Sequence, residues 1–112
     1  MTPSDLYSAT LAVLTSVRTT MLSPEWQAAL ASASQDQRIA ASRELIQVQQ
    51  AILALSNASL SDIVEEIQQN QEDLSQATGD LTKALNDIKK VQNVIDGVSK
   101  VVGLVGKILP LL

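Results

Sequence analysis

The sequence contains no cysteine, no histidine and no phenylalanine, and its aromatic residues are one tryptophan and one tyrosine. Without cysteine and histidine the chain can form no disulfide and offers no thiolate, no imidazole base, no Cys/His zinc site and no histidine-ligated di-iron centre. Since aromatics are only 2% of the residues, the core of any fold must be aliphatic. We therefore expect a protein that is not an enzyme, with no cofactor, no metal and no small-molecule substrate.

What is present suits one small domain. The chain has 112 residues, of which 46% are hydrophobic and 18% charged, so we expect a single folded domain over residues 1–112. Its formal net charge of −4 repels phosphate backbones, and nucleic acid is not an expected partner. No basic residue precedes the mildly apolar residues 9–17, so a signal peptide is not predicted. A cytoplasmic chain and a secreted chain after processing both remain open.

Apolar residues recur at helical spacing almost throughout, and no segment alternates as a strand does. This pattern predicts an all-α fold, a three- or four-helix bundle or helical hairpin. Predicted N-caps at Thr2, Ser23 and Ser59 place helices at about 3–22, 24–56 and 60–109. The second has a weak point near 31–37, where small polar residues leave almost nothing to bury. Beyond it, one apolar column is accompanied by a second that comprises Ile39, Ile46 and Leu53.

The third helix carries a heptad pattern, called the seam here, that is unbroken from residue 60 to residue 109. One column is apolar at every position: Leu60, Ile67, Leu74, Leu81, Ile88, Ile95, Val102 and Leu109. The other has one polar member and comprises Ile63, Asn70, Ala77, Ala84, Val91, Val98 and Val105. We expect one continuous helix about 75 Å long; a break at residues 78–80 is the competing model. Asn70 is expected either to set register and oligomer state or to face a wet edge.

Near the C-terminus the apolar surface widens from two columns to three. The column beside the seam is acidic at Glu66, Asp73, Asp80 and Asp87 and then becomes apolar at Val94, Val101 and Ile108. A three-column surface needs more cover from helices, another subunit or lipid, and we expect so small a chain to have too few helices to cover it. Three glycines, Gly97, Gly103 and Gly106, weaken this end of the helix, and Pro110 is expected to stop it.

These observations favour a non-catalytic helical interaction or assembly protein that acts through the apolar face of its C-terminal helix. The partner would be another protein or a second copy in a homo-oligomer. The candidate interaction residues are Val94, Val98, Val101, Val105, Ile108 and Leu109, together with Asn70 and Trp26. Trp26 is expected either to plug one end of the bundle or to anchor a partner.

The alternative is a membrane-active protein, pore-forming or membrane-binding, whose C-terminal helix engages lipid. A heptad-bearing helix that runs into a glycine-containing apolar segment, as in residues 81–112, resembles the helical arms of α-helical pore-forming toxins. Surface contact is favoured over a spanning helix, because Asp96, Lys100 and Lys107 interrupt the apolar run.

Overall fold

The computed structural model describes residues 2–109, which form an all-helical bundle without strands, as the periodicity predicts. Six helices follow one another along the chain: α1 Pro3–Met21, α2 Pro24–Ala31, α3 Gln35–Asn57, α4 Leu60–Gln69, α5 Gln71–Ala84 and α6 Val91–Ile108. The predicted stop at Pro110 lies outside the described residues.

Side-chain caps set most of the early helix boundaries. The Thr2 hydroxyl accepts a hydrogen bond from the Asp5 backbone N–H at 3.1 Å, and the Asp5 carboxylate accepts one from the Thr2 N–H at 3.2 Å. These bonds hold the pKa of Asp5 below its ordinary value. Ser34 and Gln37 form the same capping box at the start of α3, so the chain breaks between α2 and α3 inside the stretch where the sequence indicates a weak point.

Ser59 is the N-cap residue of α4, as predicted, but the capping box expected there does not form. Ser59 precedes α4 but makes no side-chain bond to the helix backbone. Its hydroxyl instead pairs with the Ser61 hydroxyl at 2.8 Å. The α4 helix therefore begins without the side-chain stabilisation that starts α1, α2 and α3.

The expectation of one continuous C-terminal helix is also wrong, since the segment is divided into α4, α5 and α6. The first interruption, at Asn70, is local. The Asn70 side-chain amide donates to the Glu66 carbonyl at 2.8 Å, and the Asn70 backbone N–H bonds to both Glu66 and Ile67. A side chain that bonds to the carbonyl four residues earlier is a recognised cause of helix bending.

The second interruption reverses the chain between α5 and α6. Three backbone hydrogen bonds close the turn. The N–H groups of Asn86, Asp87 and Lys90 each donate to the carbonyl three residues earlier at 3.1–3.2 Å. Gly79, where the competing model placed a break, remains inside α5. The molecule is consequently 43 Å long instead of the expected length of about 75 Å. The reversal lets the two halves of the seam pack against each other, whereas a straight helix leaves half of the seam in water.

The α6 helix contributes nine buried residues to the core, and its most extensive neighbours are α5 and α3. The α1 helix closes the bundle by packing against α3, α5 and α4. The Tyr7 hydroxyl donates to the Leu55 carbonyl, and the Gln37 side-chain amide donates to Gln92 at 3.2 Å. These bonds join α1 to the C-terminal end of α3 and α6 to its N-terminal end. The side of α3 that faces away from α1 and α6 is exposed.

Candidate functional site

The interaction residues predicted on α6 lie inside the bundle. Val94, Val98, Val101 and Val105 are completely buried, Ile108 is 5% exposed, and Leu109 is partly buried. The expectation that so small a chain has too few helices to cover a three-column surface is wrong, because α5 and α3 pack over the apolar face of α6. The structure brings these six residues together on one helix, but on a face that other helices of the same chain occupy.

Two further predicted residues lie apart from that group. Trp26 is buried in the core, as expected of a side chain that plugs the bundle. Asn70 is partly buried, and its amide group bonds to its own helix at the bend between α4 and α5. Neither side chain is presented as an anchor on the surface of the folded chain.

The exposed apolar surface of the described residues lies on α3. Ile39, Ile46 and Leu53 are 50%, 58% and 63% exposed, and they follow one another at intervals of seven residues. At about 100° per residue, their side chains lie within roughly 20° of a common line along the helix. We call these three residues the α3 ridge. Single exposed apolar residues are ordinary in proteins, but a line of three on one helix face indicates a contact surface.

The ridge is exposed because α3 uses its other side for the core. Ala41, Val48, Ala51 and Leu55 are buried, and α3 contacts α1 and α6 through that side. Val48 points about 160° away from Ile46 around the helix. The remaining large exposed hydrophobic residue, Leu22, stands alone at the end of α1.

The surface around the ridge carries little charge. Its exposed neighbours on α3 include the uncharged Gln35, Ser42, Gln49 and Gln50, and two charged residues, Asp36 three positions before Ile39 and Arg43 three positions before Ile46. From residue 45 to residue 61 the sequence has no charged side chain at all. The part of the apolar line around Leu53 is therefore bordered by uncharged amides and hydroxyls and can be desolvated at small electrostatic cost, which is the property of an interface core rather than its rim.

Apart from the ridge, a concave surface lies between α5 and α6, with a cavity volume of about 430 Å³. Its charged lining residues are Asp80, Asp87 and Asp96 with Lys83, Lys90 and Lys100. The Lys90 ammonium and the Asp87 carboxylate lie 3.9 Å apart, and both side chains are more than half exposed. Acidic and basic groups thus balance in an open, wet cleft, which selects neither an anion nor a cation. Residues 2–109 contain no group of three or more acidic side chains placed to hold a metal ion.

Glu44 is the charged side chain that the described part of the bundle buries. It is 8% exposed, and its Oε2 atom has no hydrogen-bond partner. Burial raises the pKa of this carboxyl, while the neighbouring Arg43 opposes the rise. No concave surface described above includes Glu44, so the group is a cost to folding rather than part of a site.

In comparisons with known proteins, no family model, curated protein or solved structure matches this chain. Among the described residues, none of the helices combines the length and the apolar character that a bilayer crossing requires.

The α3 ridge is the surface that sequence reasoning did not select. Its residues were visible as a second apolar column beside the core column of α3. Two apolar columns on one helix are, however, equally consistent with a helix that neighbours bury on both sides. The sequence signal that separates the two cases is the border of Gln, Ser and Arg around Ile46, because a column buried among neighbours is rarely flanked by hydrogen-bonding side chains on both sides.

Proposed function

We propose that this chain is a non-catalytic helical interaction module that binds its partner through the α3 ridge. The observation that carries the proposal is the exposure of Ile39, Ile46 and Leu53, in one line, on a helix whose other side is packed in the core. Partners that recognise a helix face do so through apolar side chains at such intervals. The α6 face, favoured on sequence, would serve the same purpose only after the bundle opens.

Photo-crosslinking tests this proposal. A photo-reactive residue replaces Gln50, beside the ridge, or Gln68, an exposed residue of α4, and the full chain is irradiated in the cells that express it. We expect crosslinked adducts from position 50 and few from position 68. Adding Ile46→Glu should abolish the adducts, while Leu22→Glu, which changes a similarly exposed apolar residue elsewhere, should preserve them.

Both glutamate variants should fold, because an exposed substitution usually changes the free energy of unfolding by less than about 0.5 kcal/mol. Circular dichroism checks this for each variant. Equal crosslinking from both positions, or adducts that persist in folded Ile46→Glu, would contradict a ridge-based function.

A further inference from the structure

We propose that this chain exchanges α6 with a second copy of itself. In the exchanged dimer the turn at residues 85–90 straightens, so that α5 and α6 of each chain form one helix about 57 Å long. Each α6 then packs in the partner's bundle, in the place that the partner's own α6 has left. Such an exchange makes the same contacts in both forms, and it is a recognised route from monomer to dimer. The α3 ridge takes no part in it.

The seam keeps its heptad phase through the turn. Leu81, Ile88 and Ile95 belong to one column, and Ala84 and Val91 belong to the other, so the spacing on both sides of the turn fits a single helix. A hairpin does not require this phase, because each of its helices turns its own apolar face toward the other. Continuity of the phase therefore favours a second form in which the turn is helical.

The turn lacks the capping signals found at earlier helix boundaries. Ser23 and Ser34 cap the helices that follow them, and Pro24 comes directly after the first of these caps. The α6 helix instead begins after Lys90 with no side-chain cap, and α5 ends at Leu85 with right-handed helical angles, φ −68° and ψ −14°. The turn contains neither glycine nor proline, and no residue from 2 to 109 has a positive φ. The whole turn can therefore join a continuous helix.

The backbone hydrogen bonds of the turn have helical replacements. The N–H groups of Asn86, Asp87 and Lys90 donate three residues back in the turn, and in a straight helix each donates four residues back. Within the described chain, the N–H groups of Ile88 and Lys89 donate to no backbone carbonyl. Straightening the turn gives each of these two groups a partner.

The contact between α5 and α6 fixes the symmetry of the dimer. Leu81 faces Gly97, where an added Cβ atom would lie 3.7 Å from the Leu81 Cβ atom. These two residues are equally far along the chain from Lys89, one before it and one after it. Two straight helices that cross antiparallel about a two-fold axis at Lys89 therefore bring each Leu81 against the partner's Gly97. The contact made within one chain is thus reproduced between two.

The exchange also creates a contact that the single chain lacks. Ile88 is partly buried in the turn, and it lies beside the crossing point in the same seam column as Leu81. In the dimer the two Ile88 side chains face each other and lie about 3 Å apart in height. Association opposes this gain through lost translational freedom, so monomer prevails in dilute solution and dimer at high concentration.

Refolding at high protein concentration tests the exchange. The full chain is refolded from urea at concentrations between about 10 µM and about 1 mM, then diluted and measured by size-exclusion chromatography with light scattering. We expect a dimer fraction that rises with the refolding concentration and persists on dilution, because α6 must leave a bundle before the two chains can part. A wild-type chain that refolds only to monomer at the highest concentration overturns the proposal.

Two variants of the turn should move the dimer fraction in opposite directions. Lys89→Pro removes no backbone bond from the turn but cannot sit inside a straight helix, so it should abolish the dimer. Asn86→Ala/Asp87→Ala replaces two exposed residues of low helix propensity and should raise the dimer fraction several-fold. The matched control Asn93→Ala/Asp96→Ala, at exposed positions of α6, should leave it unchanged. Dimers of folded Lys89→Pro at the wild-type level overturn the proposal.

A disulfide distinguishes exchange from side-by-side association. Leu81→Cys/Gly97→Cys places two Cβ atoms 3.7 Å apart, which is the separation of a disulfide, and the chain has no other cysteine. In the oxidised monomer the bond should lie within one chain. In the oxidised dimer it should join two chains, which then migrate as a covalent dimer on a denaturing gel. A dimer whose disulfides all lie within single chains overturns the exchange.

The same variant keeps the test decisive if Lys89→Pro does not fold. Monomer that is oxidised before unfolding cannot straighten its turn, so it should refold only to monomer while the reduced sample dimerises. Ile46→Glu should dimerise as the wild type does, because the α3 ridge is exposed in both forms. Loss of the dimer in folded Ile46→Glu would assign the contact to the ridge and overturn the exchange. Failure of the exchange leaves the proposed function standing, since crosslinking at position 50 tests that separately.

Discussion

At the scale of single residues, the bundle satisfies its buried hydroxyls but not its buried acid. Thr10 and Thr78 donate to carbonyls of their own helices at 2.7 and 2.9 Å. Glu44 has no such bond at Oε2, although its side chain is as hidden as theirs. A buried polar atom without a partner loses its hydration and regains nothing, so this one carboxylate works against folding.

Replacing Glu44 by glutamine should stabilise the chain at pH 7 by about 0.5–1.5 kcal/mol, because the charge is removed and the shape is kept. Burial raises the folded-state pKa of Glu44 above its ordinary value of 4.5. The folded chain thus binds this proton more tightly than the unfolded chain does. The cost of the charged form is therefore absent below pH 4.5, grows as pH rises through the folded pKa, and is complete above it.

Urea unfolding of both proteins at several pH values measures this difference. The advantage of Glu44→Gln should shrink as pH falls toward 4.5. The lowered pKa of Asp5 acts in the opposite direction, since it adds stability above pH 3.8 that is lost on acidification, but it is common to both proteins and cancels. The exposed control Glu65→Gln should show no such trend. A Glu44→Gln chain that is less stable at pH 7 would mean that the carboxylate has a favourable partner.

At the scale of elements, the α5–α6 hairpin explains why the glycines of α6 are not equivalent. A Cβ atom added at Gly97 would lie 3.2 Å from the Leu81 Cδ1 atom, so this glycine lets the two helices approach closely. A Cβ atom at Gly103 or Gly106 would meet nothing within 4 Å. Only the first glycine is therefore required by packing, and the other two simply weaken the helix.

Gly103→Ala and Gly106→Ala should each raise the free energy of unfolding by about 0.5–1 kcal/mol, because alanine favours the helix and no contact opposes it. Gly97→Ala serves as the matched comparison and should gain less or lose stability, since Leu81 must shift. Chemical denaturation measures all three. A loss of stability in Gly103→Ala would show that this part of α6 is not a simple exposed helix face.

Leu81 of α5 packs against α6 where the two halves of the seam meet. It is completely buried and faces Gly97 across the helix interface. Leu81→Asp should unfold the chain, because an unpaired buried charge costs several kcal/mol against a total stability of about 5–15 kcal/mol. Thr82→Asp, at the exposed neighbouring position, should keep its helical circular dichroism. A cooperative melt in Leu81→Asp near the wild-type temperature would contradict the packing of α5 on α6.

At the scale of the whole molecule, a bundle of 43 × 26 × 19 Å has enough helices to cover the apolar face of α6, while the polar face of α6 stays exposed. This cover moves the candidate binding surface from the C-terminal segment to α3. The most apolar helix face thus serves the fold, and a narrower apolar line is left exposed on α3. The same division is usual in small domains, where the broadest apolar surface is needed for the core.

The double variant Val101→Glu/Ile108→Glu should consequently unfold the chain. If the three-column apolar surface near the C-terminus were exposed, the same variant would instead be a folded monomer. Both side chains are nearly or completely buried, and two buried carboxylates exceed the stability of a small bundle. Asn93→Glu/Ser99→Glu, at exposed positions of the same helix, should remain helical by circular dichroism. A folded Val101→Glu/Ile108→Glu monomer would mean that α6 is not enclosed.

The sequence by itself determined the helical class, most helix starts and the inward-facing columns. These depend on residues close along the chain: the Thr2 and Ser34 caps, and apolar spacing that repeats every three and four residues. The heptad columns of the seam point toward the core on both sides of the turn, because each of α5 and α6 buries its own apolar face.

Only the tertiary structure decided that the chain reverses at residues 85–90, that α5 and α3 cover the apolar face of α6 and that the ridge of α3 is exposed. A heptad pattern states which side of a helix seeks cover but not which surface supplies it. A straight helix and a folded hairpin carry the same columns, and only the contacts between segments far apart along the chain cover one half of the seam with the other. Likewise, Val48 and Ile46 belong to two apolar columns of α3, and α1 and α6 pack on the side of Val48 and leave Ile46 in water.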